Sequence, residues 1–301
     1  MKAGVRRGFQ IFLAVTGVLA GACSSAPKKP LEVLTSRNMA SSQLDLANRT
    51  ANQGRYSDAL LILEDARKTA VAVDDPPLLI KTAISRGNIV FALGRHDEAF
   101  ECWEDARLEA EAAGERDFAA QARIYAARGR LVLLSAGGSG ETGAAEEIRA
   151  QVNQEIASIK SDDLSRAAGW LVAGMAEKEL GRYTEAETSI RKALEIHEKN
   201  RYLEEAAYDW YFIGSIRSVS ERYDAAVEAL KNAIRFDRLA ENGFGLASSW
   251  QALGEVYLKT GNRGESGAAF RRAAGIYRAV GLLDLAEKAE AKAGQAGFQD
   301  P

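Results

Sequence analysis

Trp170-Leu171-Val172-Ala173-Gly174, Trp210-Tyr211-Phe212-Ile213-Gly214 and Trp250-Gln251-Ala252-Leu253-Gly254 stand 40 residues apart, each an indole followed four residues later by a glycine. Spacing this regular marks a repeat array, in which every unit buries its apolar face on its neighbour. A second ladder keeps the same interval. Gly54-Arg55-Tyr56-Ser57-Asp58-Ala59 recurs as Gly94-Arg95-His96-Asp97-Glu98-Ala99 and as Gly181-Arg182-Tyr183-Thr184-Glu185-Ala186, with weaker copies beginning at Glu221 and Gly261. Successive starts are separated by 40, 87, 40 and 40 residues. The long step is two periods plus seven residues, so it hides a degenerate unit carrying an insertion. The glycine-rich stretch from Ser135 to Gly143 is the place for it.

Between these junctions the chain reads as helix. Residues 78–300 contain no proline, and strong helix formers dominate them. Ala186, Ile190, Ala193, Leu194 and Ile196 form an apolar stripe at three- and four-residue steps, the pattern of an amphipathic helix. A glycine ends one helix in a left-handed turn, and an aromatic two residues on begins the next. The spacing therefore predicts helical hairpins at about 40–73, 78–113, 116–160, 163–199, 203–240 and 243–280, with a capping helix at 282–296. In each hairpin the indole is expected to wedge against the small residue.

At these positions the chain resembles the tetratricopeptide-repeat family. Trp170, Gly174, Gly181, Tyr183 and Ala186 fit its pattern, as do Trp210, Gly214, Tyr223 and Ala226, although Glu221 replaces the junction glycine. Trp250, Gly254, Tyr257 and Gly261 fit as well, but Arg263 and Ser266 depart. The first units keep Ala47, Gly54, Tyr56 and Ala59, then Gly87, Gly94 and Ala99. The period exceeds the family's usual length of about 34 by roughly six residues, which implies longer helices. The resemblance implies an all-α, right-handed superhelical solenoid of about six hairpins and a binding scaffold. Its groove would be lined by the first helix of each pair. Carried over position by position, that groove comprises Leu44, Asn48, Ile84, Asn88, Phe91, Ile124, Arg128, Leu171, Met175, Tyr208, Tyr211 and Gln251. The Tyr208–Tyr211 pair and the Asn48–Asn88 pair are the strongest contacts expected, since an asparagine side chain offers a peptide backbone both donor and acceptor. Lysines that would clamp a terminal carboxylate are missing from the apolar stripe.

The N-terminal end suggests where such an array works. Lys2, Arg6 and Arg7 precede an apolar run from Ile11 to Ala20 and then small residues up to Cys23. A run this short cannot span a bilayer, which needs about 20 apolar residues, and it reads as a secretory signal over residues 1–22. Leu19-Ala20-Gly21-Ala22-Cys23 resembles a bacterial lipobox with its leucine one place early, so Cys23 is the expected lipidation site. Residues 23–38 then form a lipidated tether and 39–301 the solenoid, placing the chain at the envelope, by analogy at the outer membrane facing the periplasm.

Removal of a leader bearing Lys2, Arg6 and Arg7 changes the formal charge from −3 to −6. A mildly acidic body carries no electrostatic footprint for nucleic acid. There are two histidines: His96 fills a junction slot taken elsewhere by tyrosine, and His197 lies in a last helical turn where a cation suits the dipole. Neither has a companion at metal-ligand spacing, and Cys102 is read as a packed thiol, so no enzyme activity, metal or cofactor is expected. What remains is binding. The expected partner is another envelope protein or a peptide segment of one. The alternative is an apolar small molecule, as in tetratricopeptide lipoproteins that accompany TRAP-type periplasmic solute transporters.

Overall fold

The computed structural model describes residues 35–137 and 142–297. Among them are thirteen α-helices and no strand. They form six antiparallel pairs, α1 (Thr35–Asn52) with α2 (Tyr56–Ala72), α3 (Pro76–Ala92) with α4 (His96–Ala113), and α5 (Arg116–Ala136) with α6 (Thr142–Ser158). The pairs continue as α7 (Asp163–Glu179) with α8 (Tyr183–Asn200), α9 (Leu203–Val219) with α10 (Tyr223–Leu239), and α11 (Gly243–Lys259) with α12 (Arg263–Ala279), and α13 (Leu283–Gln295) covers the last pair. The chain is an all-α solenoid. Helix α1 begins at Thr35, so residues 35–38, read above as tether, are helical. Cys23, the leader and the centre of the glycine-rich insertion at 138–141 lie outside the described residues.

Ten of the helix junctions each turn on one residue in the left-handed region, while the α6–α7 linker has none. Gly181 has φ 72° at the α7–α8 junction, and the Arg182 N–H donates to the Glu177 carbonyl at 2.8 Å to close α7. Glu221 takes the same conformation at α9–α10, with φ 61°. That is a cost of about 1–2 kcal/mol for a residue with a Cβ, so the turn there is imposed by the packing around it.

The hairpins close tightly where the small residues meet. A Cβ on Gly174 would lie 2.6 Å from the Ile190 Cδ1 and 2.9 Å from the Ala186 carbonyl oxygen. At Gly214 it would lie 2.7 Å from the Leu230 Cγ, and at Gly254 3.0 Å from the Phe270 ring. Ile190, Leu230 and Phe270 are fully buried, and each such side chain contributes about 1.5–3 kcal/mol. The indoles therefore do not fill the glycine notches. Trp170 and Trp250 sit half-buried beneath cations of their own second helices, Lys192 at 3.9 Å and Arg272 at 4.7 Å from the ring centres. The Trp210 Nε1 donates to Glu198 on the preceding helix at 3.2 Å. In these three hairpins an aliphatic or phenyl group on the second helix fills the notch and the indole packs at its rim, whereas at Gly87 the buried Trp103 indole of the second helix fills it.

The third hairpin carries the seven extra residues, and α5 packs on α7 as closely as on its own partner α6. One carboxylate ties down the linker that makes this possible. Asp117, in the first turn of α5, accepts backbone N–H bonds from Lys160, Ser161 and Asp162 at 3.0, 2.9 and 3.0 Å, and a fourth bond from the Ser161 hydroxyl. Burial alone would raise the pKa of Asp117, but these donors outweigh it and hold it at about 2.

The array curls far enough to meet itself. Asn52, at the end of α1, donates to the Glu204 carboxyl at the start of α9, and α1 also touches α11. A Cβ on Gly54 would lie 3.1 Å from Leu282, in the turn between α12 and α13.

Candidate functional site

The odd-numbered helices approach one another from hairpin to hairpin, α1 with α3, α3 with α5, α5 with α7 and α9 with α11, and so form the inner layer of the curve. Its surface differs from the apolar groove expected from the resemblance. Leu44, Ile84, Ile124, Leu171 and Met175 are at most 9 % exposed and belong to the hydrophobic cores. Phe91 turns into its own hairpin, with its ring centre 4.8 Å from His96 and 5.6 Å from Trp103. These six are packing residues. The reason is curvature: inner helices that touch one another have no room between them for an open apolar stripe, so the stripe becomes their seam.

What stays accessible on this layer is polar and aromatic. Asn48, Asn88, Arg128, Tyr208, Tyr211 and Gln251 are half-buried. The Tyr208 and Tyr211 rings stack at 6.3 Å with an interplanar angle of 11°, and Phe212 meets both edge-on. The Arg128 Nη2 donates to the Tyr208 hydroxyl at 3.3 Å, and its guanidinium lies 5.4 Å from the Tyr208 ring centre. These two residues are 80 positions apart, so the bond spans the inside of the curve from α5 to α9. Asn88 and Arg128 both lie near the Tyr125 phenol. Burial pushes the Tyr211 phenol up to about 12, with Tyr208, Glu255 and Tyr277 adding to it. Ser248 and the Tyr277 hydroxyl, 3.0 Å apart, extend the row. Tyr125 and Tyr277 were not singled out in the sequence. Tyr125 follows Ile124 directly, off the positions usually assigned to the groove, and Tyr277 comes from a second helix.

Two buried polar pairs sit away from this row. The His197 Nδ1 lies 2.6 Å from Asp209, and the Ser249 hydroxyl donates to Asp237 at 3.0 Å. They occupy equivalent positions across the α8–α9 and α10–α11 junctions, and none of the four residues is more than 2 % exposed. No substrate reaches them, so they join helices. On the outer layer a cleft of about 680 Å³ opens among α2, α3 and α4, with Leu60, Arg86, Cys102 and Leu108 in its walls. Cys102 is buried, which raises its thiol pKa, and Arg86 beside it pairs with Glu98 at 2.6 Å. Among the described residues there is no group of histidine, cysteine and carboxylate side chains able to hold a metal, and no helix is long and apolar enough to cross a membrane.

The tetratricopeptide repeat signature matches residues 39–73, 167–200 and 247–280, which are α1–α2, α7–α8 and α11–α12. The chain carries tetratricopeptide repeats. No curated protein sequence matches the chain. Among solved structures it is similar to a Rap protein complexed with Competence and Sporulation Factor, at 13 % identity and a TM-score of 0.57, over 88 % of this chain and 76 % of that one. It is also similar to the APC/C hetero-tetramer Cut9–Hcn1, at 16 % identity and a TM-score of 0.56, over 84 % of this chain. There it spans 42 % of the matched chain. These likenesses establish the repeat fold.

Proposed function

We propose that this protein is a non-enzymatic scaffold of the bacterial envelope, tethered by lipid at Cys23, which binds an extended segment of another envelope protein on the inner face of its repeats. The observation that carries this reading is the row Asn88, Tyr125, Arg128, Tyr208 and Tyr211. Hydrogen-bonding groups on rigid helices suit a peptide, whose backbone offers donors and acceptors along its whole length. Two proteins of the same fold, the Rap protein and Cut9, occur in complexes with Competence and Sporulation Factor and with Hcn1, which supports a binding role. The apolar-molecule reading lacks the lining it needs, because Leu44, Ile84, Ile124 and Leu171 are spent in the cores.

A photo-crosslinking side chain placed at Tyr211 or Gln251 is expected to trap a protein partner in cells, whereas one at Leu61, exposed on the outer layer, is not. Equal adducts from all three positions would remove the inner face from the reading. The tether rests on Leu19 to Cys23 in the sequence. Cys23→Ser is expected to move the protein from the membrane to the soluble fraction, and unchanged membrane retention would exclude the anchor.

A further inference from the structure

The indoles of the repeat mark a slot that one hairpin leaves open. Trp170, Trp210 and Trp250 each stand eleven residues before the junction position at 181, 221 or 261. Trp210 reaches back to Glu198 of α8, and Trp250 lies between Arg238 of α10, 5.9 Å from the ring centre, and Arg272 of α12 at 4.7 Å. The slot therefore lies between the second helices of successive hairpins. In the third hairpin Arg123 spans it, pairing with Glu111 of α4 at 3.0 Å and with Glu155 of α6 at 2.7 Å. In the second hairpin the residue eleven before Gly94 is Ala83. Its methyl group spans nothing. The outer cleft of about 680 Å³ opens there, with Ala83 and residues of α2 and α4 in its walls.

The charges around the slot are inverted as well. Lys192 and Arg272 stand eleven residues past their junctions and lie over Trp170 and Trp250, whereas the eleventh residue past Gly94 is Asp105. On the second helix that precedes the slot, ten residues past its junction, Trp210 has Arg191 and Trp250 has Lys231, but Ala83 has Glu64. Glu64, Asp105 and Glu109 all line the cleft. Arg86 is taken by Glu98 at 2.6 Å, which leaves Arg67 to answer three carboxylates in the walls. Val71 and Leu108, also in the walls, are 59 % and 50 % exposed, while the exposed Leu61 lies outside them. Apolar side chains left in water and rimmed by charge mark an interaction surface.

We propose that the open slot at Ala83 is a docking site for a second protein, which inserts a tryptophan between α2 and α4 and sets a lysine or arginine beside Asp105 and Glu64. The shape argument and the charge argument point to the same occupant: the chain fills this slot elsewhere with an indole under a cation, and here it supplies neither. A buried indole is also the side chain that most often anchors one protein on another. The site is on the outer layer, goes beyond the inner-face reading and does not depend on it.

The test passes acetylated and amidated dodecapeptides over the immobilised full chain. Each has one central tryptophan on an alanine–glutamine background, with lysines, further glutamines or glutamates beside it. The lysine peptides are expected to be held about two- to fivefold more tightly than the glutamine peptides, the value of an exposed ion pair, and the glutamate peptides least. Leucine in place of tryptophan is expected to weaken them at least fivefold. Asp105→Asn keeps the shape and is expected to erase the preference for lysine while tryptophan peptides are still held. Ala83→Trp fills the slot from within, so it is expected to abolish retention and, by burying an indole against α2 and α4, to raise the melting temperature. Gln251→Ala, on the inner face, is expected to change nothing. Failure of the parent to hold the lysine peptides, equal retention by Ala83→Trp, or loss of retention in Gln251→Ala would overturn the site. A lower melting temperature in Ala83→Trp would show that the cleft is not an indole slot, with the same result. Dimerisation of the parent that Ala83→Trp abolishes would give the slot to a second copy of this chain and overturn the assignment to a different protein.

Discussion

Gly174 and Gly275 are both helical glycines, and their surroundings give them opposite roles. At Gly174 the second helix is so close that an added methyl group meets Ile190 and the Ala186 backbone. At Gly275, exposed in α12, it meets nothing within 4 Å. Gly174→Ala is therefore expected to destabilise the fold by about 1–3 kcal/mol through overpacking. Gly275→Ala is expected to stabilise it by about 0.5–1 kcal/mol, because alanine loses less backbone entropy in a helix. Denaturant melts of the two variants check the pair, and a shift of the same sign in both would refute the close approach. Gly174 was legible in the sequence as part of a motif. That its neighbour is Ile190, rather than an indole, was not, since the motif records which residues recur and says nothing of which surfaces they touch.

Helix α5 shows how an element absorbs an insertion. Seven extra residues were visible as a broken period, but the compensating device, Asp117 bonded to the amides of residues 160–162, joins positions more than 40 apart. The Asp117 pKa is lowered in the fold, to about 2, against 3.8 for a free aspartate. The folded state therefore binds fewer protons than the unfolded chain between those values. Stability from Asp117 is present above pH of about 4 and is lost as the pH falls towards 2. Asp117→Asn is expected to cost about 1–3 kcal/mol at pH near 7, the value of a charge-assisted hydrogen-bond set. The gap between variant and parent should narrow in acid. A gap that stays constant with pH would mean that the carboxylate charge does not hold the linker.

Across the whole molecule, the contact between the first hairpin and α9 places Glu204 where burial, reinforced by Glu205, raises its pKa to about 7, against the pull of Asn52 and Arg49. Here the sign is reversed. The folded state holds a proton that the unfolded chain has released, so stability from this site is complete below the ordinary carboxylate value of 4.5 and declines as the pH rises to about 7. Glu204→Gln keeps an acceptor for Asn52 and removes the titration. It is expected to flatten the fall in melting temperature between acidic and neutral pH, relative to the parent. Asp209 and Asp237, also raised by burial, titrate in both proteins and leave a shared background. Identical pH slopes would show that Glu204 does not titrate within the contact.

Helix positions, junctions and the repeat class are local consequences of the sequence. Periodicity, glycine turns and helix propensity act over a few residues, and a 40-residue copy repeats them whatever the rest of the chain does. Which face of those helices remains open was decided by the tertiary structure alone. Curvature is the sum of small rotations at every junction, and no single motif carries it. It brings Arg128 to Tyr208 and Asn52 to Glu204, and it turns Leu44, Ile84, Ile124 and Leu171 from a groove into a seam.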